Sequence, residues 1–371
     1  MENAAIRKWV YKLQKNYQRE LVDACDKIDF ASNDYLGFAK EGRVQKIIER
    51  YGGELMWKGS TGSRLISGNR KWIEEIEKEL ASYHHTEDAL IYSSAYQANV
   101  GLFSCIADKH DLVLIDEYVH ASVYDGVRMS FAKHFKFKHN DYEHLKALIN
   151  RYYSRFENIF VVTEGLFSME GDCPDVDSLQ GILDHKKIFL IVDEAHSFGV
   201  LGENRLGLFN EQSLAERCIA RVIGYGKALG FSGAAVVGSS ILKKYLINFS
   251  RAFIFTTALP LYHYSVILYL YKELRYHSNK VHNTLFQNIQ KYLQYVQADD
   301  RFSKNNSPIQ YFRIKNMDVE RMQQFIYANH LFAKVILPPT VPSGMERVRL
   351  SLHSFNSEEE IEHLISTLQK L

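Results

Sequence analysis

Proline is scarce in this chain, with 6 in 371 residues. Three of them, Pro338, Pro339 and Pro342, share one short stretch, so no proline-rich linker divides the rest. Cysteine is scarce too. Cys25, Cys105, Cys173 and Cys218 are widely spaced and make no C-x-x-C pair, which argues against a disulfide framework or zinc ribbon and for reduced thiols. H-E-x-x-H is missing, and His84-His85 are adjacent, a poor ligand geometry on a helix, so no metal site is expected. Long apolar runs are missing as well: stretches such as 188–192 fall far short of a bilayer span. The first ten residues are charged and lack the apolar core of a signal peptide. A cytoplasmic protein without a membrane partner is the expectation. An excess of one charge is missing: 45 basic and 44 acidic residues give a formal +1. The basic residues are scattered, as at Lys243-Lys244 and between Lys133 and Lys138, which argues against a nucleic-acid partner.

What the chain does have is length and apolar content, 46% hydrophobic, enough for a large core and for two linked domains. Residues 1–40 read as a helix and a short extended piece ending at Ser32-Asn33-Asp34-Tyr35-Leu36-Gly37. From about 70 to 240, helix-period segments alternate with short β-rich runs at 89–92, 112–115, 159–163, 188–192, 220–223 and 234–237. Apolar runs of that length between amphipathic segments predict an α/β fold whose mainly parallel sheet is covered on both faces. One long helix is expected over roughly 261–295. Strand, helix, strand, strand and helix then follow over 309–313, 319–329, 334–337, 347–352 and 357–368, a smaller C-terminal α+β unit. The expected division is therefore an N-terminal segment over 1–40, a large domain over 41–260, and a linking helix with a small domain over 261–371.

The chemistry gathers where strands end. In Gly224-Tyr225-Gly226-Lys227-Ala228-Leu229-Gly230, a lysine is enclosed by small residues just after an apolar run. Burial there would lower the amine's pKa, which a Schiff-base lysine requires, although a plain loop lysine fits the same letters. In Ile191-Val192-Asp193-Glu194-Ala195-His196-Ser197, the strand delivers Asp193 and His196 to its carboxyl end, where open α/β sheets place ligands. The string D-E-A-H also occurs in helicases, but these need G-x-x-x-x-G-K-[ST], and Gly226-Lys227 is followed by alanine. A strand-end carboxylate and a desolvated lysine suit pyridoxal 5′-phosphate (PLP), which takes the first at its ring nitrogen and the second at its aldehyde carbon. Its phosphate needs helix N-terminal amides, and Ser93-Ser94-Ala95-Tyr96 offers those of Ala95 and Tyr96 at a strand-to-helix turn. His120, in Val119-His120-Ala121-Ser122, reads either as a residue stacked on the ring or as an ordinary cap. Ser168, in Glu164-Gly165-Leu166-Phe167-Ser168-Met169, follows another strand.

Taken together, these residues make the chain resemble the α-oxoamine synthases, fold-type I PLP-dependent transferases that join an amino acid to an acyl thioester. The resemblance runs through Asn33 to Gly37, Gly59 to Arg64, Ile66-Ser67-Gly68, Val162 to Asp172, Asp193 to His196, Gly226 to Val237, Pro338 to Pro342 and Arg347 to Leu350. It implies Lys227 as the cofactor's lysine, Asp193 as the partner of the pyridinium nitrogen, and His196 near the ring hydroxyl. It implies His120 as the stacking residue, with Ser168 and the Ala95 and Tyr96 amides as cofactor contacts. Lys227, His120 and Asp193 would then be the catalytic set. Asn33, Thr340 and Arg349 match substrate contacts, Arg349 on the amino-acid carboxylate. Thr256-Thr257 matches a segment that reaches the neighbouring subunit's phosphate, which implies a homodimer with shared active sites.

Two departures stand out. At Gly224 the family pattern usually has threonine, whose hydroxyl binds the phosphate, so weaker cofactor binding is expected. The segment before Asn33 is short, and Arg19 is only a loose match for the family's early substrate-binding arginine. Pro338 to Pro342 and Ser232 to Ala235 resemble members that use L-alanine and a pimeloyl thioester, carried on CoA or on acyl-carrier protein, in biotin synthesis. Members using glycine with acetyl- or succinyl-CoA, or serine with a long acyl chain, stay open, as does a non-catalytic partner subunit.

Overall fold

The structure is a computed structural model that describes residues 4–14, 21–23, 26–53, 58–183, 185–314 and 319–371. Arg19 lies outside the described residues. In chain order the strands begin with β1 (Ile28–Asp29), β2 (Asp88–Tyr92), β3 (Leu112–Asp116), β4 (Lys133–Phe137), β5 (Ile159–Glu164) and β6 (Ile188–Asp193). They continue with β7 (Cys218–Gly224), β8 (Ala234–Gly238), β9 (Ile309–Arg313), β10 (Leu331–Phe332), β11 (Lys334–Ile336) and β12 (Arg347–Ser351). Two compact units result. One comprises Leu36–Ser168 and Asp172–His282; the other comprises Met1–Tyr35, Met169–Gly171 and Asn283–Leu371.

The larger unit is built on a seven-stranded sheet in the order β2-β8-β7-β6-β5-β3-β4. The run from β7 to β4 is parallel, while β8 lies antiparallel to both β2 and β7. β2, β3, β5 and β8 are buried along their whole length, as strands covered on both faces must be. One face packs Leu102, Val123 and Phe253 against Val113, Val162 and Val222. The opposite face packs Leu145, Ile149 and Leu179 against Leu114, Val161 and Leu190. Burying a side chain of this kind contributes about 1.5–3 kcal/mol before chain entropy is counted.

The expected α/β fold and mainly parallel sheet are present, with three differences. β4 reads Lys-His-Phe-Lys-Phe and escapes an apolar-run search because it is the edge strand: only Phe137 is buried, and charges line its open side. β8, a run of the same letters as its neighbours, enters the sheet in reverse. The helix expected over 261–295 is two helices, Leu261–His277 and Asn279–Tyr295. Between them the buried Ser278 turns its hydroxyl back to the Leu274 carbonyl and accepts from Arg205 Nη1, a local competition that interrupts a helix.

The smaller unit holds the antiparallel sheet β11-β12-β9, the short parallel pair β1-β10, and helices Val319–Ala328 and Glu358–Gln369. The last helix starts on a capping box: Ser357 accepts from the Glu360 amide, and the Glu360 side chain returns to the Ser357 N–H.

Candidate active site

Parallel strands end on one edge of the large sheet, and the polar residues cluster there. β6 ends at Asp193, which is 6% exposed, and β5 at Glu164, which is 1% exposed; the two are paired in register. The Ala195 amide donates to Asp193 Oδ1 at 2.9 Å, and Asn99 Nδ2 donates to Oδ2 at 2.6 Å. Asn99 Nδ2 also donates to Ser122 Oγ at 2.9 Å, and Ser122 Oγ lies 2.7 Å from His120 Nδ1. The Ser122 amide donates to that same Nδ1 at 3.2 Å, which leaves the imidazole proton on Nε2. Asp193 and His120 are thus joined through Asn99 and Ser122. Among the described residues Asn99 Oδ1 is buried without a partner, a cost of about 1–3 kcal/mol that the two donated bonds offset.

Lys227 follows β7 and lies within electrostatic reach of both Glu164 and His120. Its amine was expected to be desolvated; the residue is half-buried, next to the exposed Gly226. The turn is closed by Gly230 N–H donating to the Lys227 carbonyl at 2.8 Å and by Phe231 N–H donating to the Tyr225 carbonyl at 3.0 Å. Burial, then the charge of Asp193, hold the Glu164 carboxyl well above the usual carboxylate range, with Lys227 opposing. Its carboxyl also accepts the His120 backbone N–H. His120 is exposed on one side, yet the protein around it lowers its pKa by desolvation, with Asp193 opposing and Lys227 adding to the shift. A neutral ring with one open face results.

The helix Ala95–Phe103 begins beside this cluster, capped by Ser94 Oγ, which accepts from the Gln97 amide at 3.2 Å. The first-turn amides of Ala95 and Tyr96 have no acceptor within the helix, as at any helix start. Gly224 closes the same corner: a Cβ there would stand 2.9 Å from Ala195 Cβ and 3.5 Å from Ala95 Cβ. His196 and Ser168 are both buried just beyond β6 and β5. Thr256 and Thr257 follow helix Arg251–Ile254 and line a surface hollow with Ile66 and Phe255, two of the most exposed large apolar side chains.

In the smaller unit Arg349, on β12, donates from Nη2 to Asn33 Oδ1 and from Nη1 to Ser351 Oγ, each at 2.9 Å. Asn33 and Arg349, far apart in sequence, are therefore neighbours. Thr340 is exposed in the loop after β11, where its amide donates to the Leu337 carbonyl at 3.0 Å.

Sequence reasoning missed Asn99 and the role of Glu164. Asn99 was detectable as a polar residue in the otherwise apolar stretch Ala98 to Phe103, and Glu164 as a carboxylate ending an apolar strand. One buried carboxylate, one amine and unsatisfied helix amides at a single sheet edge form a donor set that fits PLP: pyridine nitrogen, aldehyde and phosphate each meet a suitable group.

The family model for aminotransferase class I and II matches residues 25–368. The chain belongs to that family, and its fold is that of the fold-type I PLP-dependent transferases. Within the family it is most like the α-oxoamine synthases, and among these 8-amino-7-oxononanoate synthase. A relative from Methanococcus vannielii named "Putative 8-amino-7-oxononanoate synthase" is 37% identical over 368 residues, 96% of this chain and 95% of that protein. A relative of the same name from Pasteurella multocida is 35% identical over 352 residues, covering 93% and 90%. The solved 8-amino-7-oxononanoate synthase of Francisella tularensis is 31% identical, with a TM-score of 0.76 over 93% of this chain and 97% of that one. The serine palmitoyltransferase of Sphingomonas wittichii, 24% identical, shares the fold with a TM-score of 0.87 over 99% and 96%.

Proposed function

We propose that the chain catalyses decarboxylative condensation of L-alanine with a pimeloyl thioester, of CoA or acyl-carrier protein, to give 8-amino-7-oxononanoate, free thiol and carbon dioxide. The supporting observation is the convergence of the Asp193 carboxylate, the Lys227 amine and the His120 ring at one sheet edge. Relatives that span nearly the whole chain and are named "Putative 8-amino-7-oxononanoate synthase" support the product.

Bound PLP supplies an electron-withdrawing ring that makes a carbon beside the amino group acidic. The chain's own residues do the rest. Lys227 holds the cofactor through Nζ, and once an amino acid has displaced it, the same Nζ removes the α-proton and later returns one. Asp193, oriented by Asn99 and Ala195, keeps a negative charge at the ring nitrogen. His120, its plane fixed by Ser122 at Nδ1, would pack on the ring, and His196 and Ser168 would hold it from the side. The Ala95 and Tyr96 amides, with Gly224 leaving room, take the phosphate. Arg349, steadied by Asn33 and Ser351, holds the amino-acid carboxylate until it leaves as carbon dioxide, and Thr340 borders the acyl group. Thr256 and Thr257 reach the phosphate of a second copy in a cytoplasmic homodimer, whose pairing covers the exposed Ile66 and Phe255.

Thiol release tests the reading. L-Alanine with pimeloyl-CoA should give the fastest turnover in a matrix that includes glycine with acetyl- or succinyl-CoA and serine with palmitoyl-CoA. Best turnover with another pair would overturn the substrate choice. Borohydride reduction followed by peptide mass spectrometry should find phosphopyridoxyl on Lys227; its absence would overturn the site.

A further inference from the structure

His139 stands two residues beyond the edge strand β4, outside the cluster just described, and is bound on both sides. Nδ1 lies 3.0 Å from Asp116 Oδ1 and Nε2 lies 3.0 Å from Asp172 Oδ2. A ring that donates from both nitrogens is the imidazolium. Asp116 is fully buried at the end of β3, while the Asp172 side chain is partly open. Desolvation opposes the charge, but the hydrogen bonds and charges of Asp116 and Asp172 outweigh it and raise the His139 pKa to about 10.

The two carboxylates belong to two different turns. Asp116 Oδ1 also accepts from the Tyr118 amide at 2.9 Å and starts the turn Asp116-Glu117-Tyr118-Val119 that leads to His120. Asp172 closes the loop that carries Ser168, because the Phe167 amide donates to the Asp172 carbonyl at 2.9 Å. The His139 ring also stacks on Tyr118, with centroids 4.7 Å apart, and meets Phe167 edge-on at 4.4 Å. Asn140, in the left-handed region at φ 50°, repeats the link: its amide donates to Asp116 Oδ2 at 3.0 Å and its Nδ2 to the Cys173 carbonyl at 3.2 Å. Glu117 faces the same residue and accepts the His139 backbone N–H at 3.0 Å.

We propose that His139 is a positioning residue for the cofactor site: held between Asp116 and Asp172, it locks the turn leading to His120 against the loop carrying Ser168. This rests on the PLP reading above. A neutral amide replaces one of the two links at most, since glutamine cannot donate to both carboxylates from one plane at this span, and it leaves the carboxylates without a cation. The loops then lose their common register, and the ring of bound PLP loses the fixed asymmetric surroundings that His120 and Ser168 provide.

The test uses full-length protein, with PLP as the probe. H139Q should bind PLP about tenfold more weakly, the scale seen when a group that orients a ligand residue is removed. Its visible circular dichroism at saturating PLP should be clearly reduced per bound cofactor, a signature that a purely stabilising residue would not move. D172N, at a partly open side chain, should reproduce both changes if H139Q does not fold. In the double variant the losses should coincide rather than add. Unchanged affinity and unchanged dichroism in both single variants would overturn the proposal while leaving the PLP reading intact. A wild-type protein that takes up no PLP would overturn both.

Discussion

Glu164 and Asp193 end adjacent parallel strands in direct register, two buried carboxyls side by side, and burial with the charge of Asp193 holds Glu164 well above the usual carboxylate range. Like charges at that spacing cannot both ionise cheaply in a buried place, and the carboxyl with fewer donors yields. Asp193 accepts from Asn99 and Ala195, Glu164 from the His120 amide. The geometry thus gives the two carboxyls unlike surroundings, two donors on Asp193 and one on Glu164.

Asp193→Asn should therefore cost far more than Glu164→Gln. On the proposed reading the first removes the negative charge opposite the cofactor's ring nitrogen, a loss of about 3–5 kcal/mol, or roughly two to four orders of magnitude in kcat/KM. The second preserves a neutral acceptor for the His120 amide and should change PLP affinity by less than about threefold, the scale of a few tenths of a kcal/mol expected where no buried interaction is lost. Parallel kcat/KM and PLP titrations on the two variants check this; a large loss in Glu164→Gln would mean that the carboxyl works ionised.

The same carboxyl predicts a pH dependence of stability. A carboxyl whose pKa is raised on folding binds its proton more tightly in the native state, so its contribution falls as pH rises above the unfolded value of about 4.3. Glu164→Gln removes that penalty. The variant should match the wild type near pH 4 and exceed it in urea midpoint at pH 8; equal midpoints at both pH values would contradict the assignment.

His139 has the opposite sign. Its pKa is raised from an unfolded value of about 6.5 to about 10, so its stabilisation is complete below pH 6.5 and disappears as pH climbs through 10. The gap in urea midpoint between wild type and His139→Gln should be widest at pH 6 and close by pH 10. A gap that stays constant would show that the ring is held by packing alone.

Much of this site was legible because a parallel sheet concentrates its chemistry at strand ends. Asp193, Lys227 and Ser168 each follow an apolar run that cannot be mistaken, and the order of runs placed them on one edge. β4 was not legible, because an edge strand buries one residue in five and its lysines read as surface. The reversed direction of β8 leaves no trace in its composition, since strand letters do not encode polarity. Nor does the helix break at Ser278 show in the sequence, as it depends on a contact with Arg205, distant along the chain. Asn99 and His139 were missed for a related reason: each acts by touching a residue far away in sequence, and spacing reveals only neighbours.

The proposed reading gives Arg349 the substrate rather than the cofactor. Its guanidinium is held at Nη1 and Nη2 by Ser351 and Asn33, so the fork has a fixed plane. Lysine keeps the charge but neither the plane nor the second bond. Arg349→Lys should raise the KM for L-alanine about ten- to a hundredfold, the scale of one lost hydrogen bond to a charged group, with a smaller change in kcat. A drop in kcat at constant KM would place Arg349 elsewhere in the reaction.

Gly224 is the position where fold and family pattern pull apart. The threonine that the family resemblance leads one to expect there would bring a hydroxyl to the phosphate, worth about 1.5–3 kcal/mol. In this chain its Cβ would stand 2.9 Å from Ala195 Cβ and 3.2 Å from Ala195 Cα, and overpacking of that kind costs about 1–3 kcal/mol. The two effects nearly cancel, so Gly224→Thr alone should alter PLP affinity by less than about tenfold. Removing the obstructing methyl in Gly224→Thr/Ala195→Gly leaves the hydroxyl's gain less opposed, and affinity should rise about ten- to a hundredfold above wild type. Equilibrium dialysis of PLP against the three proteins decides the matter. A full gain from the single variant would show that Ala195 yields without cost, and no gain from the double variant would show that the phosphate does not sit beside residue 224.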